Sequence, residues 1–514
     1  MQSPETAPLD SRERKPRRLW LIILIGCVAL VLLFACWLLF ERHRAKSALA
    51  KYEKELLAKG EKFTFAELIP PFPEGENAAV EFVRLSKSLQ AGSTLTLNSP
   101  PSMKLVAPGK SLVIVKQAGW SAAGTRKAFT WDDASADLKK NADTLAQLRE
   151  ILRSPILRSV INYRGYSTLL PHLASSKTAA QWLSASSLYN LHSGNITEAI
   201  DEIESIVLIN QVSADEPILI SQLVRIAIAT IAVGNCWPIL QDNKVSEEQL
   251  ARLQKILHDI DLASSMAQAF RGERLMGRDA IHRLRSTETD FQKAIDAFSA
   301  VSEDAEESSA IENLPYNDEI RDVIRAAIIV PMWRFVWSYE DERRLLEEVQ
   351  ALVEATLAAK AQRSASPVNI AAKRIQDRRG QSWNYMATDL FVGAIANGPL
   401  RAFRFHAQNE LTITATALKR YYLRHGKYPR NLDELVPGFL ATHPVDWMDG
   451  QKLRYRPEGD SFVLWSVGDN GTDDGGIPDQ TEPYNFLNGP DIVWPLPASD
   501  AEVEAHKTKI RPKR

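Results

Sequence analysis

Oxygen donors and glycines are concentrated in one short stretch near the C-terminus, residues 466–476 (SVGDNGTDDGG). Asp469, Asp473 and Asp474 supply carboxylates, and the glycines allow a short loop to turn its carbonyl oxygens inward. Calcium is a hard cation that takes six to eight such oxygens, so the stretch is a candidate calcium loop. The competing interpretation is a plain turn, in which Asp and Asn side chains bond to their own backbone. An EF-hand loop that starts at Asp469 is not predicted, because its twelfth residue would be Gln480, where a glutamate is needed.

Other patterns that could do chemistry are weaker. The chain has no HExxH, paired CxxC, GxSxG or P-loop pattern, and its nine histidines are scattered. His443 lies near Asp446 and Asp449 and could form an acid/base pair, although closeness in sequence fixes no catalytic geometry. A solvated, salt-bridged helix face is predicted from five residues at helical spacings: Glu273, Arg274, Arg278, Asp279 and His282. No catalytic residue is therefore predicted.

A membrane anchor is the strongest prediction from the sequence. Residues 19–40 carry no charge, and about 20 apolar residues span a hydrocarbon core of about 30 Å. Trp20 and Trp37 lie near the two ends, where indole rings favour the headgroup region. Five basic residues precede the span: Arg12, Arg14, Lys15, Arg17 and Arg18. The pattern predicts a basic cytoplasmic tail over residues 1–18, one crossing of the inner (cytoplasmic) membrane, and an extracytoplasmic body.

Three alternatives to a single anchor are open in the sequence. A cleavable signal peptide is disfavoured because its apolar region normally runs 7 to 15 residues. Lipidation at Cys36 is disfavoured because apolar residues follow the cysteine where a polar tether is usual. Residues 218–240 are apolar enough for a second span, but Gln222, Arg225 and Asn235 interrupt them. They are predicted to form a buried core helix.

The fold class predicted is mainly α, with a helical ectodomain over residues 41–398. Residues 45–62 read as a helical stalk, stopped by a proline-rich stretch at 70–73. A helical hairpin that resembles one tetratricopeptide unit turns near Gly194, without a second copy at a fixed period. Further helices follow residue 245, Pro331 interrupts one of them, and Gly380 and residues 397–399 are candidate boundaries.

The overall composition narrows the function classes. The 62 basic and 64 acidic side chains nearly balance, which gives no reason to expect a nucleic-acid partner. With 45% hydrophobic residues the body can bury enough apolar surface to fold. Cys236 is the single cysteine outside the apolar N-terminal run, so no disulfide is expected within the body.

The C-terminal part has an ordered set of local features. A helix is predicted from Glu410, ended by His425 and Gly426, and Asn431 can cap a short helix after it. Two alternating stretches, residues 453–456 and 462–467, flank a turn and predict a β-hairpin. Residues 399–480 are therefore expected to form a small α+β module, followed by a tail over 481–514.

This order of helix, hairpin and acidic loop resembles the soluble domain of the major pseudopilins of type II secretion, over about residues 410–479 of the 514. The resemblance implies a calcium loop whose ligands here would be Ser466, Asp469, Asp473 and Asp474. The resemblance does not extend to the N-terminus. Pseudopilins have a glycine, cut by the prepilin peptidase, just before the membrane helix and a glutamate five residues into it. Here Arg17 and Arg18 precede the span, and the span has no charged residue.

The whole arrangement also looks like uncharacterised bacterial membrane-anchored proteins, in an Asn-Ala-Ala segment after the proline-rich stop and in the stretch LISQLVRIAI. The expectation is a non-enzymatic membrane-anchored protein of the cell envelope, with a helical body that binds other envelope proteins, a calcium-stabilised module and a link to secretion. An envelope hydrolase with a site assembled from dispersed residues is the alternative.

Overall fold

The computed structural model describes residues 15–89, 93, 95, 98–121, 127–286, 325–478 and 490–510. The chain is mainly helical, which confirms the predicted fold class at that level. The helices are α1 (Lys15–Ala58), α2 (Phe65–Leu68), α3 (Ala79–Ser88), α4 (Trp131–Lys140), α5 (Ala142–Ile151), α6 (Pro171–His192), α7 (Ile196–Ile209), α8 (Leu219–Leu240), α9 (Glu247–His258), α10 (Ala263–Arg285), α11 (Ser338–Gln362), α12 (Ser366–Arg378), α13 (Met386–Ile395), α14 (Gly398–His425) and α15 (Asp500–Ile510).

The strands are short and form three small sheets. They are β1 (Lys104–Ala107), β2 (Lys110–Leu112), β3 (Gly119–Ser121), β4 (Ala128–Thr130), β5 (Arg454–Glu458), β6 (Ser461–Ser466), β7 (Ile492–Val493) and β8 (Leu496–Pro497). The sheet orders are β1-β2-β8, β3-β4 and β5-β6-β7. The chain divides into two compact units, and each is described by itself.

The first unit comprises Met1–Glu61, Ile281–Leu346 and Arg379–Leu390. Its helix α1 runs through the apolar stretch and the predicted stalk without a break, and 44 residues at 1.5 Å each make it about 66 Å long. None of the residues in its most apolar window is buried. A long, exposed apolar helix is compatible with a membrane anchor, and a signal sequence would also have this form. The predicted basic tail lies mostly outside the described residues.

A second part of this unit surrounds Pro331. Two turns of π-helix, Arg325–Ile329 and Trp333–Trp337, flank Val330–Met332 before α11 begins. Proline removes a backbone donor and crowds the preceding turn, which agrees with the predicted interruption. Residues 302–308 (SEDAEES), whose run of acidic side chains predicts a solvated loop, lie outside the described residues.

The second unit comprises Lys62–Ala280, Glu347–Arg378 and Phe391–Arg514. In it, α6 and α7 pack as the predicted helical hairpin, and Gly194 between them has a positive φ of 85°. Helix α8 packs against α6, α7 and α14. Because most of its apolar window is buried in this unit, residues 219–240 form a core helix, as predicted.

The C-terminal helix begins earlier than predicted. Helix α14 begins at Gly398 and not at Glu410, and Pro399 occupies its first turn, where a missing N–H costs nothing. It ends at His425 as predicted, and Gly426 adopts the left-handed conformation that closes such helices, with a φ of 69°. Asn431 caps the short 3-10 turn Leu432–Leu435 by accepting a hydrogen bond from the Asp433 N–H.

The predicted β-hairpin is confirmed, with β5 antiparallel to β6 and Tyr455 opposite Leu464. The segment after residue 480, predicted to be a tail, is built into two sheets in its described part. Strand β7 pairs with β6, and β8 pairs in parallel with β2. Ile492, Val493 and Trp494 are all buried, so apolar burial holds this segment in the body.

Candidate functional site

Ser466, the first residue of the predicted calcium loop, is fully buried. Its hydroxyl donates a hydrogen bond of 2.7 Å to Asp446 Oδ1. Asp446 also accepts the N–H groups of Met448 (3.0 Å) and Val467 (2.9 Å) and a bond of 2.8 Å from Arg454 Nη1. Burial raises the pKa of the Asp446 carboxyl. Asp446 therefore holds the start of the loop against the hairpin.

The three predicted carboxylate ligands have protein partners of their own. Asp469 forms an ion pair with Arg404, whose Nε lies 3.1 Å from Oδ1. Asp473 Oδ1 accepts the indole N–H of Trp465 at 2.9 Å, which lowers the pKa of Asp473. Asp474 Oδ2 accepts an amide N–H of Asn470 at 2.8 Å. The loop therefore also has the bonds of a folded turn.

Asp491 is a fourth carboxylate at this loop, and sequence reasoning missed it because it lies in the supposed tail. It is 1% exposed and accepts the N–H groups of Asp474 (3.4 Å) and Gly476 (2.8 Å). Burial raises its pKa, and the charges of Asp473 and Asp474 raise it further. Its pairing through β7 brings it to the loop, and no local sequence signal marks it.

Some of the loop residues fit a calcium site and others do not. Asp473, Asp474 and Asp491 are near enough for their charges to interact, and carboxylate oxygen is the donor that calcium prefers. Ser466 and Asp469 are committed to Asp446 and Arg404. Among the described residues no group of three or more His, Cys, Asp or Glu side chains is arranged to hold a metal ion. The calcium loop remains a prediction.

The possible acid/base pair at His443 is not assembled. His443 Nδ1 lies 3.1 Å from Asp433, on an exposed surface. Asp446 is buried in the network described above, and Asp449 forms an ion pair with Arg454. Asp446 and Asp449 thus share Arg454, whereas His443 pairs with Asp433.

The predicted solvated face on α10 is wrong for its first residues, because Glu273 and Arg274 are 5% and 0% exposed. Glu273 accepts the Leu219 N–H at 2.8 Å, at the start of α8, and burial raises its pKa to about 7. Arg274 Nη1 donates to Gln350 Oε1 at 2.6 Å. Helical spacing alone does not reveal that a second helix covers this face.

A small cavity in the second unit brings together residues that the sequence did not mark. Its volume is about 250 Å³, and its wall is mainly apolar. It is lined by Phe65, Ala66, Ile69, Phe72, Arg158, Ser159, Val160, Ile161, Tyr163, Asp215 and Glu216. Burial raises the pKa of Tyr163, and the charge of Glu216 raises it further.

Glu216 is the chemically unusual residue of this cavity. It is 4% exposed, and neither carboxylate oxygen has a hydrogen bond within the described structure. His172 Nε2 lies 2.8 Å from Glu216 Oε1, but the ring nitrogen is not aligned for a hydrogen bond. Glu216 and His172 therefore form a buried contact, and both carboxylate oxygens are closed off from the cavity.

Two stretches that carried a resemblance in the sequence support this cavity. Asn77, of the Asn-Ala-Ala segment, pairs with the backbone of Arg158 through bonds of 2.8 and 3.2 Å. Gln222, of LISQLVRIAI, donates to the Glu216 carbonyl at 2.7 Å. Arg225, in the same stretch, donates to Asn210 O and Gln222 Oε1, and burial lowers its pKa to about 10. Gln222 and Arg225 on α8 therefore hold the backbone of Glu216 and Asn210.

In the first unit, α1 makes a polar contact just beyond its apolar stretch. Arg42 Nη1 donates to Phe335 O at 2.7 Å, and its guanidinium lies 4.7 Å from the centre of the Phe335 ring. Arg42 and Lys46 also form cation–π contacts with the ring of Tyr339, one turn further along the chain. This contact fixes the π-helical segment beside the end of the apolar stretch.

Comparison with known proteins gives no match. No family model fits the chain, and neither a curated protein nor a solved structure is significantly similar to it.

Proposed function

We propose that this chain is a non-enzymatic cell-envelope protein, anchored in the inner membrane by α1, whose helical body binds a partner protein on the extracytoplasmic side. The observation that carries the proposal is the contrast between the two apolar helices. The apolar window of α1 is exposed throughout, whereas that of α8 is mostly buried. An exposed apolar stretch of this length is stable in a bilayer, and a buried one needs no bilayer.

Reporter fusions test this topology. Fusions after Arg44 and after Lys244 are both expected to report an extracytoplasmic position, because the basic residues before the span favour an N-terminus inside. A cytoplasmic signal from both fusions would reverse the orientation. A cytoplasmic signal from the second fusion alone would make α8 a membrane span and contradict the proposal.

Partner binding is assigned to the cavity beside Glu216. Concave, mainly apolar surfaces with a few polar groups are the usual form of binding sites. The alternative, a hydrolase, would use Ser159 and Glu216, which line the cavity, and His172, which lies beside Glu216. However, Ser159 Oγ has no hydrogen bond within the described residues, so no base is placed to activate it. Binding is therefore the better supported function.

Photo-crosslinking tests partner binding in cells. A photoreactive amino acid at Val160, which is 79% exposed and lines the cavity, is expected to capture a defined partner. Leu423 is 41% exposed on α14 and is the matched control. If Val160 gives no adduct beyond those formed from Leu423, the cavity is not the partner site.

We also propose that calcium stabilises the C-terminal loop. Asp473 and Asp474, with Asp491, are the ligands best supported by their mutual charge interaction. Asp469 would first have to leave Arg404, and Ser466 would position the loop through Asp446. Calcium there would neutralise carboxylates that otherwise repel one another, so its contribution would be to stability.

A further inference from the structure

We propose that the π-helical segment (residues 325–337) is a second membrane contact of the first unit and lies in the interfacial layer of the bilayer beside α1. Its partner is the lipid surface, and the side chains that enter the lipid are those of Ile328, Pro331 and Phe335. This inference rests on the proposed membrane anchor and goes beyond it, because an anchor by itself needs no second contact with lipid.

The π-helical segment has an exposed apolar face. Ile328 is 58% exposed and Phe335 is 42% exposed, and Ala327 and Pro331 are exposed as well. Positions 327, 331 and 335 are four residues apart, so they lie on one side of the helical segment. Outside α1, Ile328 and Phe335 are the exposed large apolar residues in the described part of the first unit. Apolar exposure that is grouped in one segment is typical of a contact surface.

The π-helical segment and α1 run side by side in the same direction. Arg42 Nη1 donates to Phe335 O at 2.7 Å, just beyond the end of the apolar stretch. One turn further along each helix, Lys46 Nζ lies 6.0 Å from the centre of the Tyr339 ring. Because both numberings increase away from the apolar stretch, the residues before Phe335 lie nearer to the membrane than Phe335 does.

This alignment sets the depth of the exposed face. Phe335 is level with Arg42, two residues after Phe40 at the end of the apolar stretch. Ile328 comes seven residues before Phe335, so a helical rise of 1.5 Å per residue places it at most about 10 Å further toward the membrane. Interfacial helices bury their apolar side about 5–10 Å into the boundary between headgroups and acyl chains. The expected depth of Ile328 is within that range.

Burial along α1 supports the same alignment. Leu38, in the last turn of the apolar stretch, is partly buried, whereas the other residues from Trp20 to Phe40 are exposed. On the same side of α1, Ala45 and Leu49 are buried beyond the apolar stretch. The contact face of α1 therefore begins inside the apolar stretch, so the element that packs against it extends to the depth of that stretch.

The charge pattern of the π-helical segment suits an interface and not a crossing. Residues 326–333 (AAIIVPMW) carry no charge, but a crossing needs about 20 apolar residues. Arg334 follows them and donates to Leu284 O at 2.9 Å, and Arg42 is at the same level on α1. Basic side chains are favoured at this depth, because their stems can pack on apolar groups while their charges reach water and headgroups.

The test measures lipid contact of the full chain in vesicles of phosphatidylcholine and phosphatidylglycerol. A nitrobenzoxadiazole fluorophore is attached to Ile328→Cys, in a chain with Cys27→Ala and Cys36→Ala, while Cys236 is buried and stays. Part of the phosphatidylcholine carries a doxyl quencher near the headgroup end of an acyl chain. The probe is expected to lose about half of its fluorescence or more, because it lies at the depth of the quencher.

Two further probe positions calibrate the measurement. Leu39→Cys, in the apolar stretch, should be quenched by the doxyl lipid. Leu57→Cys is the matched control, because Leu57 is also apolar and exposed but lies 17 residues beyond Phe40, about 26 Å further along α1. Its probe should keep nearly all of its fluorescence in doxyl lipid and be quenched by aqueous iodide.

A second reporter and the iodide measurement keep the test decisive. If Ile328→Cys lowers the melting temperature of the chain, Phe335→Cys replaces it, and its probe should also be quenched by the doxyl lipid. Probes at both positions that iodide quenches as strongly as the probe at Leu57 would overturn the proposal, because the face would then be open to water. Probes shielded from both quenchers would overturn it as well, because protein and not lipid would then cover the face.

The probe at Leu39 separates this proposal from the proposed anchor. If the doxyl lipid quenches the probe at Leu39 but neither the probe at Ile328 nor that at Phe335, the anchor stands and the interfacial contact fails. If the probe at Leu39 is not quenched, α1 does not lie in the bilayer, and the anchor and the interfacial contact fail together.

Discussion

Ser466 and Asp446 are joined by a buried hydrogen bond of 2.7 Å across 20 positions of sequence. The Ser466 hydroxyl is therefore bonded inside the body of the protein. The bond also makes Asp446 the common acceptor for the start of the acidic loop and for Arg454.

Asp446→Asn is expected to lower the free energy of unfolding by about 2–3 kcal/mol, because an amide N–H₂ would face donors that now meet a carboxylate. Chemical denaturation of the full chain in detergent measures the change. Asp449→Asn is the matched control, since Asp449 also pairs with Arg454 but is partly exposed, and should cost less than about 1 kcal/mol. Equal losses in the two variants would show that Asp446 has no special role.

Calcium is expected to raise the melting temperature of the full chain, and a chelator should reverse the rise. A ligand that binds only the folded state stabilises it by about 2.7 kcal/mol at a hundredfold excess over its Kd. The double variant Asp473→Asn with Asp474→Asn should lose the shift, whereas Asp460→Ala in the hairpin turn should keep it. If millimolar calcium leaves wild-type melting unchanged, the loop is only a turn.

Glu273→Gln is expected to stabilise the protein at alkaline pH. Burial raises the pKa of Glu273 from 4.5 to about 7, so its favourable contribution is fully present below pH 4.5 and is lost as the pH rises through 7. Glutamine keeps an acceptor for the Leu219 N–H and carries no charge. The variant should match wild type at pH 4.5 and exceed its unfolding free energy by about 3 kcal/mol at pH 8.

Denaturation of wild type and Glu273→Gln across this pH range measures the difference between their unfolding free energies. Contributions from other buried carboxyls are the same in both proteins and cancel in this difference. Glu198→Gln should follow the wild-type profile. A constant difference between Glu273→Gln and wild type would mean that Glu273 keeps an ordinary pKa in the folded protein.

Gly272→Ala is expected to destabilise the fold by about 3 kcal/mol or more, because a methyl group there would lie 1.6 Å from the Pro217 carbonyl oxygen. The Pro217 carbonyl belongs to the backbone, so it cannot avoid the methyl group by a side-chain rotation. Gly234→Ala is the matched control in another helix, where the nearest atom is the Ser102 hydroxyl at 3.1 Å. Thermal unfolding of the two variants compares them, and similar melting temperatures would contradict the close approach of α10 to Pro217.

The sequence alone determined those features that depend on neighbouring residues. The apolar run of α1, the turn at Gly194, the end of α14 at Gly426 and the hairpin of β5 and β6 follow from local rules of hydrophobicity, capping and turn formation. Each involves residues within a few positions of one another, so a single sequence is sufficient to predict it.

Tertiary structure alone decided which polar residues meet. Asp491 reaches the acidic loop through the pairing of β7, and α8 places its polar residues under Glu216. Glu273 is buried because another part of the fold covers α10. These contacts depend on the packing of segments that are distant in sequence. The energy of that packing comes from apolar burial, which is non-directional. The sequence around each polar residue therefore carries no signal of the residue that it will contact.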